Sequence, residues 1–600
     1  MTTLPPASFA AAARALNAPL RLQIAQCLML RVSAEAYWHD DDARRELHDL
    51  IKTEGIGGVC VFQGSAVETA KMLTELQQLA RQAPLGLPLL VSADFEHGVA
   101  MRLEGGTAFP QAMALGKTGE RLGNTSMTSA VAQAIAREAR ALGVHWNFAP
   151  VCDVNSNPLN PVIGVRSFGE TAEHVAEHVQ AYIHALQGGA TLPAQERVMA
   201  CAKHFPGHGD TAQDSHETLP TLAHSLERLE AVEFVPFRAA LEASVQSVML
   251  GHLVVPSLEA QGSKSQELKS QGASAVAASL SANVVRWLRE TMGFQGVIVT
   301  DGLDMKAITK HHTPAEAAVR AFTAGVDVLL LPPEPRMALD ALCQAMLNGQ
   351  LQPKRVEESW RRVLQAKHWC GLLDDAVRPV WQTVSMKSSM KPEQMNNHQL
   401  LAIDAAKPAL RWFPGAATNG DASVDTNENT SMHNHVGAYQ RRLPSLLRFG
   451  HVAGFAIVSA PQGDASSAAL QRAEEEMSAA TSFFRYVAQI YHGDCDFGFV
   501  DETLASPKNA ADLAALLDGT RRAEVVIFAV FVRGAGSQRL KISPALETVV
   551  RHLAAGKPSV AVLFGNPYLR GAFPADELLC AFSASEPSLG AAAVELCAEG

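Results

Sequence analysis

Fifteen residues, 202-AKHFPGHGDTAQDSH-216, hold three histidines, a lysine and two aspartates. Asp214 and His216 stand two apart, so in an extended segment their side chains point the same way. A carboxylate beside an imidazole fixes its tautomer and raises its pKa. That pair suits proton transfer near neutral pH. The same histidines could instead ligate a metal or simply face solvent on a loop. His204, His208 and His216 are spaced by four and eight residues across Pro206-Gly207, without the HExxH or HxH spacing of a rigid zinc shell. Gly207 and Gly209 permit backbone angles that other residues avoid, which predicts a mobile loop. A second group stands in 294-FQGVIVTDGLDM-305. Asp301 closes an apolar run and could be a nucleophile, or Asp301 or Asp304 could cap the next helix. A carboxylate nucleophile plus one proton-transfer group is the minimum for retaining glycoside cleavage, here with a histidine in place of the second carboxylate.

The elements that must position these groups recur at regular intervals. Eight short apolar runs, CLMLRV (27–32), IGGVCVF (56–62), LPLLVSADF (87–95), VHWNFAPVCD (144–153), VMACAKHF (198–205), SVMLGHLV (247–254), GVIVTDG (296–302) and GVDVLLLP (325–332), alternate with helical stretches such as 130–143 and 226–243. Runs without polar alternation suit parallel strands buried on both faces. Eight of them over some 300 residues predict a (β/α)8 barrel. Their polar residues gather at the C-terminal ends: Asp94, Asp153, Lys203 with His204, His252 and Asp301. Parallel barrels build their sites there, although strands also end in polar residues simply because the chain exits to solvent.

The domain plan that follows is a barrel over 18–375, a linker at 376–400, and a C-terminal α/β sandwich over 401–600. Strand-like runs in the second part are 451–460, 485–491, 523–532, 558–565 and 578–584, separated by helical runs at 510–522 and 544–556. The chain stops on a helical pattern, so this domain is expected to be incomplete at its end. Residues 258–279 and 416–436 are polar and aperiodic, as surface loops are. There is no GxGxxG after a strand and no GxxxxGK[ST], and no cofactor is expected.

Composition narrows the partners. The chain has 600 residues, a formal charge of −11 and 18% charged residues. It carries no electrostatic footprint for nucleic acid. It has no apolar run of the roughly 18 residues that a membrane span needs and no signal-peptide pattern at its start. Nine scattered cysteines without CxxC suggest reduced, buried thiols and hence a cytoplasmic protein. Oligomeric state is not legible.

Five stretches together resemble glycoside hydrolase family 3, and within it the bacterial β-N-acetylglucosaminidases of the NagZ type in their two-domain form. They are LLVSADFEHGVAMRL (89–103), FAPVCDVNSNPLNPVIGVRSFGE (148–170), AKHFPGHGDTAQDSH (202–216), SLSANVVRWLRETMGFQGVIVTDGLDM (279–305) and AGVDVLLLP (324–332). They fall in the family's order over roughly residues 20–375. The resemblance implies Asp301 as nucleophile, His216 as acid/base and Asp214 as the carboxylate that orients it. It implies Asp94, Arg102, Arg166, Lys203 and His204 as sugar-binding residues, with no metal. It further implies a retaining exo-β-N-acetylglucosaminidase acting on cell-wall recycling muropeptides. Phosphorolysis of the same bond, a different sugar specificity and a non-catalytic sugar sensor are the alternatives. Three motifs depart from the usual pattern: Thr300 precedes the nucleophile where Ser is common, Val165 precedes Arg166 where Glu is common, and Phe-Glu-His-Gly follows Asp94 in place of Gln-Glu-Gly-Gly.

Overall fold

The structure, a computed structural model, describes residues 18–188, 192–211, 219–262, 276–373, 392–414, 451–457, 477–487, 494–500, 510–531, 544–564, 573–581, 583 and 585–597. The chain divides into two compact units. One comprises Met1–Thr107, Thr125–Asn157 and Ser167–His398; the other comprises Ala108–Asn124, Pro158–Arg166 and Gln399–Gly600.

Each of the eight apolar runs contains a strand: β1 (Leu28–Val32), β2 (Gly58–Val61), β3 (Leu90–Ala93), β4 (Trp146–Asn147), β5 (Cys201–Phe205), β6 (Ser247–Leu250), β7 (Val297–Thr300) and β8 (Leu329–Leu330). All neighbours are parallel. β8, β1, β2, β3 and β4 form one ladder, and β5, β6 and β7 form another. Parallel bridges Trp146↔Met199, Val151↔Lys203 and Val299↔Val328 join the two into a closed ring. Closure removes sheet edges, and helices such as Ser126–Leu142 and Pro353–Trp369 alternate with the strands. Side chains fill the interior: Ser92 Oγ donates to Met29 Sδ at 2.9 Å, and Trp146 Nε1 donates to Ser247 Oγ at 2.6 Å.

The second unit is built on a six-stranded sheet. Its strands are β9 (Arg411–Pro414), β10 (His451–Ile457), β11 (Asp494–Val500), β12 (Val525–Val530), β13 (Ser559–Leu563) and β14 (Glu577–Cys580), in the order β9-β14-β13-β12-β10-β11. β9 is antiparallel and the rest are parallel. Alternate residues feed two cores, as the period of a strand dictates. Val525, Ile527 and Ala529 enter one, and Val526, Phe528 and Val530 the other. The run 485–491, expected as a strand, belongs through Val487 to a helix over 477–487. Its buried residues Ala480, Phe483, Phe484 and Val487 recur at helical spacing, and they pack in the first of these cores. β9 and β11 had no strand signal: β9 is four residues ending in Pro414, and β11 opens with Asp494 and Asp496.

Helix Ala112–Leu122 groups with this second unit, where Met113 and Ala114 sit in the sheet's other core. Thr118 Oγ1 donates to the Ala405 carbonyl at 2.9 Å. In the segment expected as a linker, a helix runs over Pro392–Ala406, while 374–391 lie outside the described residues. In the 258–279 segment expected as a surface loop, a helix covers Pro256–Gly262 and 263–275 lie outside the described residues, as do 416–436. No helix among the described residues is long and apolar enough to cross a membrane.

Candidate active site

The C-terminal ends of β3, β5, β6 and β7 bring five of the expected residues to one mouth. Asp94 follows β3. The chain then turns back through a short helical turn, Val99–Met101, and returns Arg102 to Asp94, with Nη2 2.9 Å from Oδ2. Asn147, in β4, pins the turn from the other side: its Oδ1 accepts the Phe95 amide at 2.9 Å and its Nδ2 donates to the Phe95 carbonyl at 3.2 Å.

β5 supplies two consecutive side chains, Lys203 and His204. In a regular strand neighbours point to opposite faces. Here the pairing with β6 shifts between Ala202↔Val248 and Phe205↔Leu250, so two residues stand opposite Met249. This bulge turns both side chains to the mouth, a common use of bulges beside functional sites. Lys203 Nζ lies 2.8 Å from Asp94 Oδ1 and 2.7 Å from Glu96 Oε1. His204 Nδ1 lies 2.7 Å from Asp153 Oδ2.

Asp153 is the hub behind this pair. Wholly buried, it also accepts the His208 amide at 2.7 Å and the His204 amide at 3.3 Å. The His208 ring turns away to the Thr211 hydroxyl at 2.7 Å. The segment expected to be mobile is thus packed as far as Thr211, with His208 and Thr211 both buried. Gly207 has φ +125°, as its sequence context suggested. Gly209 serves a different purpose: a Cβ there would lie 1.8 Å from the Val154 carbonyl oxygen, so only glycine permits the approach.

Asp301 follows β7 directly and is partly buried. Its Oδ1 accepts the Gly302 amide at 2.8 Å. His252, after β6, holds the other side of Gly302: Nε2 donates to the Gly302 carbonyl at 2.8 Å while Nδ1 lies 2.7 Å from Ser279 Oγ. Burial lowers the pKa of His252, which suits a neutral ring in this role.

Electrostatics keep these carboxylates charged. Burial alone would push the Asp301 carboxyl up, but His204, His252, the Gly302 amide and Lys203 outweigh it and hold it at about 2. Burial likewise opposes ionisation of Asp94, and Lys203 and Arg102 overcome it, so its pKa falls below the usual value. Burial of Asp153 is outweighed by His204 and His208. A fixed carboxylate beside oriented donors and the Lys203 cation can attack an electrophilic carbon, while charged Asp, Arg and Lys groups can hold neutral hydroxyls.

Three further residues were expected at the site. Arg166 ends a turn over Gly164–Arg166 in the second unit, where Nη1 donates to the Val162 carbonyl at 3.1 Å. Asp214 and His216 lie outside the described residues. Three contributors went unassigned from sequence: Asp153, His252 and Glu96. The first two carried a signal, since both end apolar runs. Glu96, two residues past a strand end, carried none.

Comparison with known proteins places this geometry. Residues 19–366 match the family model described as "Glycosyl hydrolase family 3 N terminal domain". The chain is 35% identical over 339 residues to a β-hexosaminidase A of Pseudoalteromonas piscicida, a match covering 54% of this chain and 55% of that protein. It thus spans about half the length of that relative. It is 31% identical to a β-hexosaminidase of Xylella fastidiosa strain M12, over 49% of this chain and 81% of that protein. Among solved structures, a glycoside hydrolase family 3 β-N-acetylglucosaminidase from Paenibacillus sp. str. FPU-7 superposes with a TM-score of 0.73 at 27% identity, covering 97% of each chain. With its closed parallel barrel, its strand-end carboxylates and a family match over more than half its length, the chain belongs to glycosyl hydrolase family 3.

Proposed function

We propose that the barrel mouth hydrolyses terminal β-linked N-acetylglucosamine with retention of configuration. The observation that carries this reading is Asp301: a carboxylate held at about 2 at the end of β7, beside the Asp94–Arg102–Lys203 cluster. Asp301 attacks the anomeric carbon as His216 protonates the leaving oxygen, giving a glycosyl ester on Asp301. Water, deprotonated by His216, then attacks the same carbon and frees Asp301. Asp214 orients His216 and stabilises its charged form. Asp94, Arg102, Lys203, His204 and Arg166 hold sugar hydroxyls, with interactions that persist as charge develops at the anomeric carbon. The sugar is drawn from the relatives, named as β-hexosaminidases and a β-N-acetylglucosaminidase. A cytoplasmic enzyme acting on cell-wall recycling fragments fits the scattered thiols; Cys27, Cys60, Cys152, Cys201, Cys370 and Cys580 are free and buried.

The test is turnover of 4-nitrophenyl N-acetyl-β-glucosaminide, beside the matching glucoside and xyloside. Asp301→Asn should lose activity by about 10⁴-fold or more, in keeping with removal of a covalent nucleophile. His216→Ala should keep a fast first step only with an activated leaving group. Full activity in Asp301→Asn, or in His216→Ala on a natural disaccharide, ends the assignment. Free sugar as product with and without added phosphate supports hydrolysis; a sugar phosphate identifies phosphorolysis.

A further inference from the structure

Phe62 follows β2 directly and is half-buried, with its amide donating to the Val32 carbonyl at 2.9 Å. Two guanidinium groups lie over its ring. Arg31, from β1, has Cζ 3.7 Å from the ring centroid, and Arg102 has Cζ 4.9 Å from it. Each arginine also meets one carboxylate through a single nitrogen: Arg31 Nη2 lies 2.5 Å from Asp304 Oδ2, and Arg102 Nη2 lies 2.9 Å from Asp94 Oδ2. A one-nitrogen ion pair leaves a guanidinium free to pivot about that contact, unlike a two-point fork. The aromatic face removes that freedom, because a cation within about 6 Å of a ring centroid is attracted to it. The ring therefore connects the two sides of the mouth. On one side it meets Arg102, paired to Asp94. On the other it meets Arg31, paired to Asp304, three residues beyond Asp301.

We propose that Phe62 is a positioning residue of this site: its ring sets the plane of Arg102 against the sugar and, through Arg31, steadies the Asp301–Asp304 turn. The inference rests on the reading of Asp94 and Arg102 as sugar-binding and of Asp301 as nucleophile. An ordinary rim residue that only packs would need apolar volume and no aromatic face.

The experiment separates these. Phe62→Leu keeps apolar volume and loses the ring; Phe62→Tyr keeps both. With 4-nitrophenyl N-acetyl-β-glucosaminide, Phe62→Leu should lower kcat/KM by about 10-fold, the scale of a partly desolvated cation–π contact, while Phe62→Tyr stays within about 3-fold of the wild type. The Phe62→Leu loss should shrink to about 2-fold in an Arg102→Ala background, since coupled residues are not additive. An equal loss in both backgrounds, or Phe62→Tyr as impaired as Phe62→Leu, overturns the proposal. The same double-mutant cycle read in denaturant midpoints needs no substrate: non-additive shifts support the stack and additive ones overturn it. Wild-type inactivity on this substrate, or an active Asp301→Asn, would instead end the functional reading and leave the cycle in midpoints to decide the role of Phe62.

Discussion

Lys203 Nζ sits between Asp94 Oδ1 at 2.8 Å and Glu96 Oε1 at 2.7 Å, with the lysine side chain only 3% exposed. One cation therefore holds two carboxylates together, and it does so from the bulge that also points His204 into the mouth. Lys203→Met removes the cation and leaves like charges facing each other. The expected cost is about 3–5 kcal/mol in unfolding free energy, the range for breaking a buried pair by one partner. With it should come a rise in the Asp94 pKa and a large loss of kcat/KM. Denaturant unfolding of the variant checks this; a midpoint like that of the wild type would mean that Lys203 does not neutralise the pair.

Asp153 touches no expected substrate position, yet His204 and His208 both hang on it. In Asp153→Asn the geometry can persist but the charge is gone and one oxygen becomes a donor facing donors. A stability loss of about 1.5–3 kcal/mol follows from hydrogen bonds to a charged group. The kinetic expectation is a fall in kcat larger than any rise in KM, because His204 is left misdirected in the bound state. Steady-state kinetics with 4-nitrophenyl N-acetyl-β-glucosaminide separate the two constants.

Gly209 has no room for a side chain against the Val154 carbonyl oxygen. Gly209→Ala must move backbone on one side, at a cost of about 1–3 kcal/mol or more by the general scale of overpacking. The His208 amide bond to Asp153 lies next to the displaced atoms. Thermal unfolding of Gly209→Ala checks the cost. A melting point within a degree of the wild type would contradict the close approach.

The depressed pKa of Asp301 has a definite sign in the pH profile. Its folded value, about 2, lies below the ordinary 3.8. The stabilisation from its ionised form is complete above about pH 4 and is lost as pH falls through about 2. Over the working range the proposed nucleophile is therefore always charged, and on that reading the proton donor limits the first step. The logarithm of kcat/KM should show no carboxylate limb above about pH 4. It should fall as pH rises through the pKa of His216, whose unperturbed value is near 6.5. Kinetics from about pH 4 to 9 test this, and a basic limb that survives in His216→Ala would remove that residue from the role.

Much of the barrel was legible because its physics is local. A strand buried on both faces is mostly apolar, so each of the eight strands announced itself as a short run without regular polar alternation. The polar residues at the run ends announced the mouth, and Asp94, Lys203, His204 and Asp301 meet there. The second unit was less legible. Val487 belongs to a helix because Ala480, Phe483 and Phe484 precede it at helical spacing, a period that a seven-residue window at 485–491 hides. β9 pairs through its backbone at an antiparallel edge, which leaves little mark on side-chain types.

The sequence by itself determined where the barrel strands lie, which end of the barrel carries charge, and which family the motifs resemble. Tertiary structure alone decided the partners. Asp153 gathers His204 and His208 across some fifty residues of chain, Lys203 joins Asp94 across 109, and Arg31 meets Asp304 across 273. It also placed Met113 and Ala114 in the core of the second unit, among residues distant from them in sequence. The reason is that local patterns fix which face a side chain occupies, while hydrogen bonds and ion pairs depend on which faces closure of the ring brings together. The bulge at Lys203-His204 shows the limit most clearly. Strand alternation would send those two side chains apart, yet where the register against β6 shifts both reach one site.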